Sequence, residues 1–593
     1  MCGILVVLNK QEKIDVRRGD QALEKLRLRG PDFSFRDILF HDRLYFGQTV
    51  LSITGKPSNL IDVYHKSHGG RFNLIFNGEI YNYQQLSRRF LEPRGITNPS
   101  GTDTEVLVNL HEVLAPAAVY GNLEGMFGYI VYDNLKKTLT IGRDRIGEKV
   151  LYLFEDEHVL MIASEVGPIL ELNPQLTIDR DIVRQYFFTR HLLTPKQTAF
   201  RGITVIPPGH VLEYDLERQT WTTLHVSTVA DFIKPEKLEQ NSRRTIDELA
   251  LELEDVMQAS AQAIAPKDVS YSSVFSGGLD SSLASWFMQQ ALPPAHFVAL
   301  QFPGKDAVSE NLAPFEKILG RPIETFVVDL ELYRTFLERV YQAAGAPLPT
   351  HSFISQAIVG KIVRDLGSKV WIGGHGGDEL FGGYEFYKKL AGHQKFPDQN
   401  PSAYSGFVPL GFEFQNWQPE KLQAEIADRW QECSRHYAFL DDAQDRLVQT
   451  VLLSDMTVML ESVGIREADT MSMLSSVEPR CFFLTKQMIE FAVNLPARCK
   501  IDLQSSDANM ITRPLVKQVF LRHFGKALLL PKQGFSGFPN EAGRSLVDKN
   551  FPLVRSELGL REVPSAAACK DWQALEWKLI NTELFLQNFL RYF

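Results

Sequence analysis

The chain opens MCGILVVL (residues 1–8), a cysteine directly behind the first methionine and then an unbroken apolar run. Polar NKQEK follows at once, so the run reads as a short strand buried on both faces. It is too short for a secretory signal, and no basic segment precedes it. A cysteine in such a strand can simply pack, since free cysteine is among the most buried residue types. It can also do chemistry. With Met1 removed, Cys2 carries a thiol and a free α-amine. That amine has an unperturbed pKa of roughly 8 and can serve as a base beside its own sulfur.

The totals narrow the classes. At 593 residues the chain exceeds what one hydrophobic core sustains, so two or more domains are expected. A net charge of −9 argues against a nucleic-acid partner held by a general basic field. The five cysteines, Cys2, Cys433, Cys481, Cys499 and Cys569, are scattered without a C-x-x-C pair. They imply a reducing, cytoplasmic setting with no structural disulfide and no zinc site. No apolar run approaches the roughly 20 residues that span a bilayer, so no membrane association is expected.

Working outward, the first third alternates β-rich runs with turn signals: KTLTIGRD, KVLYLFED and HVLMIASE. VIPPGHVLEYDLERQTW reads as a Pro-Gly turn leading into a last strand pair. Residues 226–244 turn polar and are expected to link two domains. TIDELALELEDVMQASAQAI then shows helical spacing, with Ile246, Leu249, Leu253, Val256 and Met257 on one stripe. Beyond it the strand-like VSYSSVF, HFVALQF, IETFVVD and SKVWIGG alternate with helical segments. That rhythm predicts a parallel sheet with helices on both faces. The last third reads as mostly helical, with KQMIEFAVNL and LEWKLINTELFLQNFLRYF as amphipathic pieces.

Three polar, glycine-bearing stretches share the β-rich part with Cys2: LRLRGPD (26–32), FNGEIYNY (76–83) and GTDTEVL (101–107). An N-G alone is a hairpin turn, and T-D-T-E alone is a helix cap. Together with MCGI, and with EGMFGYIVYDN and IGRDRIGEKVLY beyond, they resemble the glutaminase domain of the asparagine synthetase family. The resemblance implies that Cys2 attacks the side-chain amide of glutamine while its α-amine moves the proton, releasing ammonia. It implies an oxyanion hole from Asn77 and Gly78, with Glu79 and Asp103 holding the substrate's polar groups. One position departs. Where the family carries H-x-R-L-S-I this chain has QTVLSI. Gln48 and Val50 therefore stand in place of the histidine and of the arginine that clamps the glutamine carboxylate. A neutral side chain makes no bidentate contact to a carboxylate, so either another cation substitutes or glutamine binds weakly.

Two further stretches lie between strands and helices in the second part. SGGLDSS (Ser276, Gly277, Gly278, Leu279, Asp280, Ser281, Ser282) lets backbone N–H groups curl around an anion at a helix N-terminus, without a Walker lysine. GGHGGDELFGGY (373–384) sits at the carboxyl end of a predicted strand, the edge where open α/β sheets bind ligands. The resemblance makes these the ATP pyrophosphate loop, with Gly374 beside it and Asp280 and Asp378 as oxygen ligands for Mg2+. READTMSMLSSVEPR and PKQGF also match. Lys532 is expected to offset charge as an acyl-adenylate forms, and Glu478 and Arg480 to act as a positioning ion pair. Here too the chain departs. His375 replaces a glutamate beside the acceptor, and Thr485 replaces an aspartate. His375 is read as a general base or an acceptor contact.

The expected fold is α/β. Residues 2–225 would form an αββα glutaminase layer of the N-terminal-nucleophile type, 226–244 a linker, and 245–593 an ATP-pyrophosphatase-type synthetase domain with a helical end. The resemblance implies a ligase using glutamine, ATP, Mg2+ and a small carboxylic acid; a homodimer is one assembly it allows. His375 and Thr485 point to a rebuilt acceptor pocket and away from aspartate as the acceptor. Aspartate itself, or a catalytically silent regulatory homologue, stay open as alternatives.

Overall fold

The computed structural model describes residues 2–55, 65–189, 197–302, 312–391, 414–415, 417, 420–530, 537–563 and 572–590. The opening run forms β1 (Cys2–Asn9), buried along all but its last residue. Alternate residues face opposite sides of a strand. Ile4, Val6 and Leu8 accordingly pack with Ile75, Ile130 and Ile141 of a facing sheet. Leu5 and Val7 pack with Leu23 and Leu26 at helix α1 (Val16–Glu24).

The strands that follow are β2 (Phe33–Leu39), β3 (Leu44–Val50), β4 (Phe72–Ile80), β5 (Gly125–Asp133), β6 (Thr138–Arg143), β7 (Tyr152–Glu155), β8 (Val159–Ala163), β9 (Ile203–Val205), β10 (His210–Asp215) and β11 (Thr220–Val226). They build one sheet in the order β2-β3-β1-β8-β7-β9 and a second in the order β11-β10-β6-β5-β4. Helix α2 (Asp103–Val113) covers the outer face of the second sheet, through Val106 and Leu110 against Leu74, Phe76 and Val131. With α1 on the other side, this is the αββα layering expected. The three β-rich runs and the Pro-Gly strand pair all fall on strands.

Residues 235–242 form a helix rather than an extended connection; Leu238 is buried and Asn241 Nδ2 donates to the Asn494 carbonyl at 3.0 Å. Helix α3 (Ile246–Ile264) starts with a capping box between Thr245 and Glu248, and buries Leu249, Leu253 and Met257.

The second part is built on a parallel sheet, order β14-β13-β12-β15-β16, of β12 (Tyr271–Val274), β13 (His296–Gln301), β14 (Glu324–Val327), β15 (Val370–Gly373) and β16 (Glu478–Cys481). Its carboxyl ends feed α4 (Leu279–Ala291) and α6 (Gly377–Phe381). Around them lie α5 (Ser352–Asp365), α7 (Arg466–Met473) and α8 (Pro514–Phe524). Within residues 443–473 one 18-residue stretch reaches a mean hydropathy of 1.3, apolar enough by length and composition to cross a bilayer. It is 78% buried within the protein, as core helices that pass the same test are. Cys2, Cys433, Cys481 and Cys499 are buried free thiols, and Cys569 lies outside the described residues.

Candidate active site

Cys2 sits opposite Val50 in the β1–β3 register. Its backbone nitrogen donates to Asn77 Oδ1 at 2.9 Å. This is the nitrogen that becomes the α-amine once Met1 is removed. The other end of the same amide, Asn77 Nδ2, is buried without a hydrogen-bond partner. A buried donor left unpaired is uncommon, and here it belongs to the side chain that holds Cys2. The next residue, Gly78, has φ 144°. A Cβ there would overlap the Met126 carbonyl oxygen, so only glycine fits. Gln48 ties β3 to β4 below the thiol: its Nε2 donates to the Phe76 carbonyl at 2.8 Å and its Oε1 accepts the Phe76 N–H at 3.0 Å. Burial pushes the Cys2 thiol up, and hydrogen bonds from Leu51 and Gln48 partly offset this. The thiol therefore needs a base to react.

Glu79 and Asp103 are buried nearby. Asp103 accepts the Ile80 N–H and the Thr104 N–H, each at 2.8 Å. Glu79 Oε2 accepts from the Thr54 hydroxyl at 2.8 Å, and Arg480 Nη2 lies 3.4 Å from Glu79 Oε1. Burial raises both carboxyls above the ordinary range; Asp103 adds to this at Glu79, as Glu478 does at Asp103. Val50 packs with Cys2, Phe33 and Phe35 and offers no polar group.

At the sheet's carboxyl edge, the Ser276–Ser282 loop is held by its own hydroxyls. Ser281 Oγ accepts the Ser276 N–H at 3.1 Å and donates to the Gly278 carbonyl at 3.1 Å. Gly277 has φ 73°, and Gly278 caps the thirteen-residue α4. The Ser282 hydroxyl is buried without a partner, while its N–H continues the helix to Gly278. A Cβ on Gly374 would come within 2.5 Å of the Asp280 Cβ, and Cβ atoms on Gly377 and Gly383 would strike the carboxylates of Asp280 and Asp378. The glycines of this segment thus make room for both aspartates.

Those aspartates converge on one cation. Arg513 Nη1 donates to Asp280 Oδ2 at 2.8 Å and to Asp378 Oδ1 at 2.9 Å, and its Nη2 bonds Asp280 Oδ1. Arg513 precedes Pro514 at the start of α8. The proline signals a helix start, yet nothing local announces contacts to residues 233 and 135 positions away. No cluster of three or more His, Cys, Asp or Glu suited to a metal occurs among the described residues. Two hard oxygen donors gathered around one guanidinium still suit Mg2+, whose other ligands would be phosphate and water. Lys532 lies outside the described residues.

His375 is half-buried, with its ring nitrogens turned inward. The Gln356 amide Nε2 faces its Nε2 at 3.2 Å, which places the ring proton on Nδ1, an atom buried without a partner. Burial pushes His375 down to about 4, against a smaller upward pull from Asp378. Glu467, buried and held by the Ser352 and Thr350 hydroxyls at 2.8 and 3.2 Å, is pushed up to about 8. Ser352 and Gln356 lie one turn apart on α5, so both uncharged groups share one helix face. Asp378 and Glu379 are engaged by Arg513 and by the Tyr384 hydroxyl, respectively. Thr485 proves to be a helix cap. Its hydroxyl accepts the Met488 N–H and bonds Ser260, so this departure has a local structural role.

Buried ion pairs join the two parts: Arg29 and Lys149 to Asp469 at 2.8 and 3.0 Å, and Arg143 to Glu461 at 2.9 Å. Arg29 Nε also donates to the Cys2 carbonyl at 3.2 Å. The expected pair of Glu478 and Arg480 is present at 2.7 Å, and Arg480 also reaches Glu79. Nothing in the spacing signalled that second contact.

Comparison with known proteins gives two family matches, a glutamine amidotransferase domain over residues 1–225 and asparagine synthase over residues 252–586. An asparagine synthetase [glutamine-hydrolyzing] of Bacillus subtilis is 26% identical over 545 residues, 84% of this chain and 82% of that one. Asparagine synthetase B of Escherichia coli is 25% identical over 413 residues, 66% of each chain. An amidase of Gibberella zeae is 25% identical over 425 residues, 65% of this chain and 60% of that one.

Proposed function

The chain belongs to the asparagine synthase family, and from that premise we propose that it adenylates a carboxylic acid other than aspartate and amidates it with ammonia drawn from glutamine. It is a C–N-forming ligase with a glutamine amidotransferase domain. On this reading Cys2 forms a thioester with the glutamine acyl carbon and expels ammonia. The Cys2 α-amine, held by Asn77 Oδ1, takes the thiol proton and delivers it to the leaving amine. Asn77 Nδ2 and the Gly78 N–H receive the oxyanion, and Glu79 and Asp103 the substrate ammonium. On the other side, the Ser276–Ser282 loop holds the nucleotide phosphates. Mg2+, held by Asp280 and Asp378, would neutralise phosphate charge. Ammonia passing between the sites attacks the acyl-adenylate and displaces AMP. Lys532 keeps the role that its motif implies.

The acceptor reading rests on His375. A neutral imidazole presenting Nδ1–H, whose partner Gln356 lies one helical turn from Ser352, the partner of Glu467, can donate to an acceptor's oxygen. It supplies no negative charge for an α-ammonium. This favours an acceptor contact over a general base, because Gln356 occupies the ring's lone pair. The intact pairing of Cys2 with Asn77 weighs against a silent homologue. The test is pyrophosphate release from ATP over a panel of carboxylic acids that includes aspartate. Fast turnover with an acid lacking the α-ammonium, and slow turnover with aspartate, is expected. Efficient asparagine formation would restore aspartate as the acceptor, and no release with any acid would favour the silent homologue.

A further inference from the structure

We propose that Arg480, carried on β16 of the ATP-side domain, supplies the cation that holds the α-carboxylate of glutamine in the pocket of the other domain. The inference rests on the glutaminase reading above and fills the place left by Val50. Val50 is apolar, 1% exposed and in register with Cys2, so it binds no carboxylate.

The described cations around Cys2 differ in what they have left to give. Arg29 spends Nε on the Cys2 carbonyl, Nη1 on Glu165 and Nη2 on Asp469. Lys149 is bound to Asp469. Arg480 spends Nε on Glu478 at 2.7 Å and Nη1 on the Ile264 carbonyl at 2.7 Å. Its Nη2 is buried and makes no hydrogen bond. That nitrogen lies 3.4 Å from Glu79 Oε1, and Glu79 directly follows the Asn77–Gly78 pair. The opposite oxygen of Glu79 is held by Thr54, four residues beyond Val50 on the same segment. Asp103 is close enough to Glu478, the partner of Arg480, to feel its charge.

The chemistry is that of an α-amino acid. Ammonium and carboxylate hang from one carbon, so their partners must stand side by side with opposite charge. Glu79 and Asp103 offer the negative half, and the free Nη2–H of Arg480 offers the positive half within reach of Glu79. A charge-assisted bond from a buried guanidinium is the strong kind of contact, and Arg480 is already fixed by two other bonds, so little ordering is required. The pocket is then complete only while the two domains are docked.

The test compares glutamine with 4-aminobutanamide, which keeps the amine and the amide but lacks the α-carboxylate. Glutamate or 4-aminobutanoate release is measured with wild type, Arg480→Lys and Arg480→Gln. Arg480→Gln should lose roughly ten- to hundredfold in kcat/KM for glutamine and little for the analogue, with Arg480→Lys between. The paired variant Glu478→Gln/Arg480→Gln, which removes both charges, reads the same ratio should the single variant not fold. Equal losses on both substrates would make Arg480 merely structural and overturn the inference, as would an unchanged ratio. Wild-type protein that releases no glutamate would overturn the glutaminase reading, and this inference with it.

Discussion

One amide serves two purposes at the head of β1: Asn77 Oδ1 holds the Cys2 nitrogen at 2.9 Å, while Asn77 Nδ2 stays buried and unpaired. On the proposed glutaminase reading the first contact orients the base and the second is open to the oxyanion. Cys2→Ala should abolish glutamate release while amidation from added ammonia continues. Asn77→Asp should lower kcat for glutamine about 10²–10³-fold, with a smaller change in KM. Initial-rate assays with glutamine and with ammonium chloride separate the effects. Equal loss of both reactions in folded Cys2→Ala protein would refute the assignment.

Glutamine binding should release protons. Burial holds the Glu79 and Asp103 carboxyls above their ordinary range. A substrate ammonium favours their charged forms and drives protons off. Lower pH then opposes binding, so KM for glutamine should climb as pH falls from about 8 toward about 6. Calorimetry of glutamine binding to Cys2→Ala in phosphate and in Tris buffer reads the released protons directly. Identical heats in the two buffers would count against the linkage.

His375 should not titrate in the range ordinary for histidine. With its value pushed from 6.5 to about 4, ammonia-dependent amidation should show no His375 break near pH 6.5. Stability carries the sign instead. The folded state keeps the ring neutral while the unfolded chain protonates it, so stability is full above 6.5 and is lost as pH falls toward 4. The loss is on the order of 3 kcal/mol. Urea unfolding across that interval should show a shallower loss in His375→Gln than in wild type. Parallel curves would mean that the ring is not held neutral.

Arg513 should compete with divalent cations. Removing it leaves the carboxylates of Asp280 and Asp378 facing one another without their guanidinium. Breaking such a buried pair costs about 3–5 kcal/mol. Arg513→Met should therefore melt lower than wild type, and added Mg2+ or Mn2+ should raise its Tm by more. Thermal melts over a metal series check this. Equal metal responses would place the two carboxylates too far apart to share an ion.

Much of the architecture was legible because its signals are local. The β-rich run HVLMIASE, the capping box at Thr245 and Glu248, and the glycines before α4 each act over a few residues. Thr485 caps the helix at residues 486–493, a role that threonine fills as well as aspartate does.

By itself the sequence determined the buried first strand that starts at Cys2, the Asn77–Gly78 step that faces it, and the parallel sheet whose loops carry Asp280 and Asp378. These depend on residue type and short spacing, through strand alternation, glycine geometry and helix ends. Only the tertiary structure decided which charges meet. Arg480 reaches Glu79 from the other domain, Arg513 gathers two aspartates from separate loops, and Arg29 links the Cys2 carbonyl to Asp469. It also decided that burial pushes His375 down and Glu467 up from their ordinary values. Charge pairing and protonation follow from burial and from separations of a few ångströms, and residues hundreds of positions apart acquire these only when the chain closes around them.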